Sequence, residues 1–591
     1  MALPFIEQYI TRSVVLQMLI RYRCKEAEKV QKAMIVDNLA VSNGLRNFAS
    51  KSKQELYDMF PPRRQWIHLN YNKRKNLSQK DKNEKCLLLT VYREDHSEGQ
   101  HPVWYDRLNK RIEHIIHAAL TSKKLFRKPN VTVIEKKRHE KDKIIECRPV
   151  CLFKTLDERI YASLYNKVFS HLFDSLFYEH SMSFRVPKKD DPEMLHLKAV
   201  RKIKEFRRNH NGILYVAECD LQKFYDTLDH DIIKKRFNQL LQWKKRDGTI
   251  TIEEKNILKN VIYSYVDCYC FYRDVYKYNK KPNHSIWGQI EKSDNYKKGV
   301  MWILPEIEKK RQSGDWPYRT KLHERYQLGV PQGGALSGII ANVLMHFTDL
   351  HLRKYWDAHP EFLYIRFCDD IIMMGKYKGD VVRAFHRYSH SVESSHLYKH
   401  PEKPLTEYKM KDFWSGKTKP PYQWGAPSKE VFPWITFVGY DINWEGETRI
   451  RRSTLRKEIR KQYDKRIEVE HLLNKKGKRN PQWSKQFISN SVHKRMIGMS
   501  VGRVPIWDYR SYDNKYSWAK AFTELTDNHW SRAQLRLLDK HRNLMMKRLD
   551  RFLLGLDYKA IKPSDQKSHS DAVWYFGKPY SYYGQVLKKW D

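Results

Sequence analysis

The chain has 591 residues, of which 112 are Lys or Arg and 69 are Asp or Glu, giving a formal net charge of +43. This length exceeds what one hydrophobic core accommodates, so two to four domains are expected, and the positive excess indicates a polyanionic partner. The eight cysteines lack zinc-ligand spacing, the N-terminus is too polar for a signal peptide, and no apolar run is long enough to span a membrane. We therefore expect a cytoplasmic protein with no structural zinc, no disulfide framework and no membrane contact.

The first 130 residues are predicted to be mostly helical. Apolar residues recur at helical spacing over 6–40 and again over 105–119. The stretch 70–85 is polar and rich in lysine and is expected to be a loop. The apolar run 86–92 that follows it is interpreted as a strand.

A mixed region of strands and helices begins near residue 131. Residues 131–134 and 143–150 flank a charged turn, which indicates a β-hairpin with Arg148 near its end. A helix is expected over 156–176, and Ser183-Phe184-Arg185 closes the segment. The strand 213–219 then delivers Asp220 at its end. Asp220 is a candidate metal ligand, and the alternative, that it caps the following helix, is equally open from this segment alone.

Residues 230–325 are long, charged and interpreted as an insertion with its own helices. The loop 329–337 follows, and its paired glycines let the backbone approach a ligand closely. Gln332 in this loop offers both a donor and an acceptor, and Ser337 is expected to cap an apolar helix. The alternative is an ordinary turn that precedes a helix.

The segment 364–375 places Asp369 and Asp370 between two apolar, β-branched runs, which predicts a hairpin with the acid pair at its tip. Adjacent carboxylates in apolar surroundings resist ionisation, and a divalent cation such as Mg²⁺ relieves that conflict. The alternative is an acidic turn at the surface. Asp190-Asp191 illustrates that alternative, because it has no apolar flanks and is interpreted as a solvated loop.

The remainder is predicted to contain a helix over 381–396, an irregular loop over 411–433, and a second hairpin over 436–451. Mostly helical, basic sequence follows over 453–554. Aromatic residues make up 13% of the chain, and many neighbour basic residues, as in surfaces that stack nucleic-acid bases.

In this order, the segments from 132 to 457 resemble the fingers and palm of reverse transcriptases. The matching segments are 147–149 with 183–185, 220–226, 329–342, 367–370 and 437–440, the last like a primer-grip hairpin. Phe367 and Cys368 depart from the Tyr-Ala pair that the family commonly has before its Asp-Asp. The resemblance implies an α+β fold, a right-hand polymerase with fingers, palm and helical thumb, and with helical N- and C-terminal extensions. The implied domains are an N-terminal extension (1–130), fingers (131–219), a palm (220–450) with an insertion at about 235–325, a thumb (451–555) and an aromatic, basic tail (556–591).

The resemblance also implies the roles of individual residues. Asp220, Asp369 and Asp370 are the implied catalytic carboxylates, which with the Leu221 backbone carbonyl would hold two Mg²⁺ ions, Mn²⁺ being a possible substitute. The implied nucleotide pocket contains Phe224, Tyr225, Gln332, Gly333, Arg148 and Lys409. Tyr225 would exclude a 2′-hydroxyl and so favour dNTPs, unless it is an ordinary buried tyrosine. Arg148 and Lys409 are the implied triphosphate contacts.

The extensions and the insertion most resemble the prokaryotic defence-associated ("unknown group") reverse transcriptases. This implies an RNA-directed DNA polymerase that acts against bacteriophage, with a partner non-coding RNA or with DNA synthesis guided by the protein itself. RNA, the DNA product, dNTPs and a second copy or partner polymerase are the implied partners. A group II intron or retroelement polymerase and a catalytically silent RNA-binding maturase are the alternatives. Priming by a protein hydroxyl is a further possibility raised by the tyrosine-rich tail.

Overall fold

The structure is a computed structural model with a mixed α and β fold. It describes residues 4–37, 51–74, 77, 79–139, 141–186, 194–281, 284–287, 297–301, 327–356, 361–402, 416–474, 484–501, 517–556 and 578–581. Lys409, Asp190-Asp191 and most of the aromatic tail lie outside these residues.

The helices, in chain order, are α1 (Arg12–Asp37), α2 (Lys51–Asp58), α3 (Tyr71–Arg74), α4 (Gln79–Asp95), α5 (Val103–Thr121), α6 (Leu156–Phe173), α7 (Leu195–Asn209), α8 (Phe224–Thr227), α9 (His230–Arg246), α10 (Ile252–Asp267), α11 (Phe271–Asp274), α12 (Ser337–Trp356), α13 (Lys378–Ser394), α14 (Arg452–Asn474), α15 (Lys485–Val501) and α16 (His529–Leu554). The strands are β1 (Asn130–His139), β2 (Ile144–Leu152), β3 (Leu214–Cys219), β4 (Lys297–Gly299), β5 (Phe362–Phe367), β6 (Asp370–Gly375), β7 (Lys419–Trp424), β8 (Val431–Phe432), β9 (Trp434–Phe437), β10 (Tyr440–Asn443) and β11 (Thr448–Ile450). Among these helices, none is long and apolar enough to cross a membrane.

The chain divides into two compact units. The first comprises Met1–Val15, Arg111–Ala199 and Asn209–Pro433, and the second comprises Leu16–Lys110, Val200–Arg208 and Trp434–Asp591. Each unit is therefore assembled from separate stretches of sequence.

The first unit contains a five-stranded sheet with the order β5-β6-β3-β7-β8. The central strand β3 runs antiparallel to both β6 and β7. Strands β5 and β6 form the predicted hairpin, in which Phe367 pairs with Asp370 across a two-residue turn. Helix α12 is buried along most of its length, and the side chains of β6 after Asp370 are buried as well. The hairpin is thus fixed by a core on its flanks, while its turn lies at the sheet edge.

A second sheet in this unit contains the hairpin predicted from residues 131–134 and 143–150. Strands β1 and β2 are antiparallel, with an irregularity in register between Glu135 and Lys137, and β4 adds to β2 in parallel. Helices α9, α10 and α11 lie in the stretch interpreted as an insertion, as expected. Residues 302–326 of that stretch lie outside the described part.

The second unit contains the antiparallel sheet β11-β10-β9 and an α-helical core. Helices α14, α15 and α16 share an apolar cluster, whose buried members are Val469, Leu473, Ile488, Val492, Met496, Met545, Met546, Leu549 and Leu553. Tyr580 is buried, and its hydroxyl donates to Glu458 at 2.8 Å. This tail residue therefore packs within its own unit.

The prediction of a strand over 86–92 is wrong, because these residues lie within α4. Leu87 and Val91 are fully buried, whereas Leu88 and Leu89 are 36% and 37% exposed. Burial therefore repeats every four residues and follows one helix face, a pattern that the continuous apolar run concealed. The prediction of a loop over 70–85 is also wrong in part, because α3 and the start of α4 lie within these residues.

Candidate functional site

Asp220 lies directly after the buried central strand β3, where the sheet ends. Its backbone carbonyl accepts a hydrogen bond from the His400 N–H at 3.0 Å. The Asp220 carboxylate is 2.5 Å from the Lys417 ammonium and 3.6 Å from His400 Nε2. Helix α8 begins at Phe224, with Lys223 at the N-cap position, so Asp220 does not cap that helix. Asp220 thus lies at a strand end, where its carboxylate contacts basic side chains instead of capping a helix.

Asp369 lies in the two-residue turn between β5 and β6, next to Cys368. Burial raises the pKa of the Asp369 carboxyl, and the negative charge of Asp220 raises it further. Because Cys219 at the end of β3 pairs with Ile371 near the start of β6, the end of β3 lies beside this turn. Two carboxylates 149 positions apart in sequence therefore act on each other electrostatically.

Asp370 and Leu221 differ from this pair in their exposure and backbone contacts. The Asp370 side chain is exposed at the start of β6. Leu221 forms an isolated bridge with Lys399, and the hydrogen bonds beside it use the Asp220 carbonyl and the Gln222 N–H rather than the Leu221 carbonyl.

The chemistry of this edge fits Mg²⁺ bound by few protein ligands. In the described part of the chain, no three His, Cys, Asp or Glu side chains are grouped to hold one metal ion. Mg²⁺ commonly binds through one or two carboxylates, with waters and substrate phosphates completing its octahedron, rather than in a cage of protein ligands. The repulsion between Asp220 and Asp369 is the kind that a divalent cation removes. Lys417 neutralises part of that charge here.

Tyr225 lies beside the turn that carries Asp369. Its hydroxyl is 3.2 Å from the Cys368 sulfur, and burial, reinforced by Cys368, raises the Tyr225 pKa. The Tyr225 carbonyl accepts from the Val330 N–H at 2.9 Å, which ties it to the glycine-rich loop. Phe224 contacts the Tyr225 ring edge-on, with 5.3 Å between ring centroids. The Tyr225 ring is thus in contact with Phe224, and its hydroxyl with Cys368.

The glycine-rich loop brings Gln332 and Gly333 against the same region. The Gln332 side chain donates to Asp226, which is buried, and its carbonyl accepts from the Cys151 N–H at 2.8 Å. Gly333 has φ +95°, a conformation that favours glycine. The loop therefore docks on β2 with its backbone, and Gln332 is oriented by a buried carboxyl group.

Ser337 does not cap α12 with its side chain as predicted. It is the first residue of that helix, and its hydroxyl donates to the Pro331 carbonyl at 2.7 Å. The same hydroxyl lies 3.0 Å from the Tyr265 hydroxyl. Ser337 thus closes the glycine-rich loop on itself instead of satisfying helix N–H groups.

Charged side chains of the β1-β2 hairpin lie near Tyr225 and Asp226. Arg148 is exposed on β2, and its charge lowers the pKa of Tyr225 and of Asp226 against the effect of burial. Glu146, two residues earlier, contacts Lys223 at 2.7 Å and Lys136 at 3.0 Å. Burial alone would raise the Glu146 pKa, but these two lysines outweigh it and lower the pKa to about 2.

The structure adds residues that the sequence analysis missed. Lys417 and His400 contact Asp220, and Asp226 holds Gln332. Burial and the Lys417 charge lower the His400 pKa to about 4. Lys417 and His400 belong to no motif. Asp226 belongs to the 220–226 segment, but its role could not be predicted because its partner, Gln332, lies 106 residues away in sequence.

The chain matches no protein-family model and no curated protein sequence. Among solved structures, it is similar to apo telomerase from Candida tropicalis, with 12% identity and a TM-score of 0.36 over 90% of this chain and 82% of that one. A truncated form of that telomerase gives 15% identity and a TM-score of 0.32, with 56% of each chain covered, so the match spans little more than half of its length. Telomerase from Candida albicans in complex with a fragment of telomeric RNA gives 13% identity and a TM-score of 0.32 over 86% and 82%.

Proposed function

We propose that this protein is a nucleotidyltransferase, an RNA-directed DNA polymerase that adds dNTPs to a 3′-hydroxyl. The observation that carries the proposal is the convergence of Asp220, from the end of β3, with Asp369, from the β5–β6 turn, close enough for one to raise the pKa of the other. Support also comes from Tyr225, which contacts Cys368 in the same turn, and from Gln332, which hydrogen-bonds Asp226, the residue after Tyr225. The ordered motifs of the sequence supply the reaction class.

In this proposal, Asp220 and Asp369 hold Mg²⁺, with Asp370 and the Leu221 carbonyl as further candidates. The bound cation supplies charge neutralisation for the attacking and leaving oxygens, which is the main requirement of phosphoryl transfer. Gln332 and the Gly333 backbone line the nucleotide site, and Arg148, being exposed and basic, binds phosphate. The Tyr225 ring would collide with a 2′-hydroxyl and so would select deoxynucleotides.

Lys417 has a defined place in this reaction. Its ammonium contacts the Asp220 carboxylate and neutralises part of its charge. A cation held by Asp220 would repel this ammonium, and Lys417, whose side chain is 53% exposed, would then be able to contact a phosphate oxygen. Lys409 remains a second candidate for a pyrophosphate contact.

The biological role we propose is antiphage defence in the cytoplasm, with a partner non-coding RNA or with DNA synthesis guided by the protein. This part of the proposal is supported by the resemblance to defence-associated reverse transcriptases. Phage plating on cells that carry the wild-type or the Asp369→Ala/Asp370→Ala chain tests it. Equal plaque counts with both chains, across a phage panel, would contradict a defence role.

The polymerase proposal is tested by incubating purified protein with Mg²⁺ and labelled dNTPs or NTPs, with and without nuclease treatment of co-purified RNA. We expect dNTP incorporation that disappears in Asp369→Ala/Asp370→Ala. Asp190→Ala/Asp191→Ala is the matched control, because it removes the same two charges from a stretch without apolar flanks. Product that survives nuclease treatment would indicate synthesis without an RNA template. RNA binding without incorporation of any nucleotide would favour the catalytically silent alternative.

A further inference from the structure

The turn that carries Asp369 is held at one residue, Cys368, from two sides. The Cys368 N–H donates to the Ser183 hydroxyl at 2.8 Å, and the Cys368 carbonyl accepts from the Arg366 guanidinium at 3.3 Å. Cys368 has φ +62°, a left-handed conformation that is strained for any residue except glycine. A two-residue turn with a strained non-glycine position keeps that conformation only if its surroundings enforce it.

Arg366 is itself fixed by a buried ion pair. Its side chain is fully buried, and so is that of Asp349, which accepts from the Arg366 Nε at 3.0 Å and from its terminal nitrogen at 2.6 Å. The Tyr364 hydroxyl donates to the same carboxylate at 2.7 Å, and Asn342 accepts from Arg366 at 3.2 Å. The guanidinium therefore has its position determined by groups on α12 and β5 before it reaches Cys368.

Ser183 is fixed by the same helix. The Asn342 amide donates to the Ser183 carbonyl at 2.7 Å. Gly338, one turn earlier on α12, lies under the Phe184 ring so closely that a Cβ atom there would be 2.6 Å from the ring. Helix α12 thus positions both partners of Cys368, although Ser183 and Cys368 are 185 residues apart.

We propose that Ser183 and Arg366 are positioning residues that hold the Cys368 backbone, and through it direct the Asp369 carboxylate toward Asp220. The inference rests on the proposed polymerase function for its kinetic consequence. Its structural consequence, the restraint of the turn, is independent of that function. Neither residue touches substrate or metal in this proposal.

The decisive variant is Ser183→Ala, which removes the acceptor of the Cys368 N–H without changing charge. Hydrogen exchange, read by mass spectrometry in peptides covering residues 364–374, should accelerate at the Cys368 amide. In nucleotide incorporation, kcat should fall by about 10- to 100-fold, while KM for dNTP should stay within about 2-fold of wild type. The reason is that a misplaced catalytic group slows the chemical step but leaves substrate binding nearly unchanged. Ser183→Thr keeps a hydroxyl and should restore both readouts.

Ser391→Ala is the matched control. Ser391 is buried in the same unit and hydrogen-bonds Thr348 at 3.1 Å. Thermal unfolding of each variant is measured alongside, and only variants that keep a wild-type transition enter the comparison. If Ser183→Ala exchanges and turns over like Ser391→Ala, the proposal is wrong.

Arg366→Lys provides a second, independent variant. It keeps a positive charge beside Asp349 but lacks the nitrogen that reaches Cys368. Because both residues act on the same turn, the kcat loss of the double variant with Ser183→Ala should be smaller than the product of the single losses. A loss equal to that product would overturn the idea of a shared action on Cys368.

The two hypotheses fail in distinguishable ways. If the wild-type protein incorporates no nucleotide, the proposed function fails, while hydrogen exchange and Mn²⁺ binding measured by electron paramagnetic resonance still test the restraint on the turn. If incorporation is normal but Ser183→Ala changes neither exchange nor kcat, the polymerase proposal stands and the positioning inference fails.

Discussion

The buried Asp226 carboxyl makes the protein less stable as the pH rises. Burial raises its pKa from 3.8 to about 6, in spite of the Gln332 hydrogen bond and nearby positive charges. The folded state therefore binds a proton more tightly than the unfolded chain. Between pH 3.8 and about 6 the folded state holds more protons, so stability falls as the pH rises through this window and stays low above it.

The size of this effect follows from the pKa difference. About two pKa units correspond to about 3 kcal/mol of unfolding free energy at neutral pH. Asp226→Asn removes the titrating group. Its hydrogen bond with Gln332 is less favourable, which lowers the free energy of unfolding by about 1 kcal/mol at all pH values. Relative to wild type, the variant should thus be slightly less stable at pH 4 and about 2 kcal/mol more stable at pH 7.5.

Urea unfolding at pH 4, 6 and 7.5 measures this difference. Glu361→Gln is the control, because it deletes an exposed carboxylate in the same unit. The reasoning is refuted if the stability difference between Asp226→Asn and wild type is the same at all three pH values. It is also refuted if Glu361→Gln reproduces the pH dependence, since the effect would then reflect net charge alone.

Three further outcomes are expected. The Glu146 pKa of about 2 lies below its ordinary 4.5, so ionised Glu146 stabilises the fold fully above pH 4.5, and this stabilisation is lost as the pH falls toward 2. In Glu146→Gln, the free energy of unfolding should therefore depend less on pH between 4.5 and 2, as measured by acid unfolding followed by circular dichroism. Gly334→Ala would place a Cβ atom 2.0 Å from the hydroxyl of buried Tyr265, and should destabilise the protein by about 1–3 kcal/mol in urea unfolding, whereas Gly299→Ala, with open space at its Cβ, should not. Tyr225→Ala should raise incorporation of NTPs relative to dNTPs in a competition assay, and an unchanged ratio would contradict its proposed role in excluding a 2′-hydroxyl.

The sequence by itself determined the local elements with strong patterns. β-branched and large apolar residues on both sides of Asp369-Asp370 predicted the hairpin that β5 and β6 form, and helical spacing over 105–119 predicted α5. The same method was wrong over 86–92, because a continuous apolar run is compatible with a strand or a helix. Only the surface that buries Leu87 and Val91 decides between them.

The candidate site was predictable as a set of residue types but not as an arrangement. Asp220, Asp369, Tyr225 and Gln332 stand in recognisable motifs, whereas Lys417 stands in none. Whether a lysine pairs with Asp220 depends on how β7 aligns beside β3, and this alignment depends on burial of the whole sheet.

Tertiary structure alone decided how the turn that carries Asp369 is held. The Cys368 N–H donates to the Ser183 hydroxyl, which lies 185 positions away in sequence. The Arg366 guanidinium that donates to the Cys368 carbonyl is only two positions away, but Asn342 and Asp349 of α12 fix it, and Asn342 also donates to the Ser183 carbonyl. Local sequence sets backbone preference over a few residues, since its interactions extend over one turn or one strand pair. Contacts between residues far apart in sequence form only when the core closes, and the hydrogen bond between Cys368 and Ser183 is one of them.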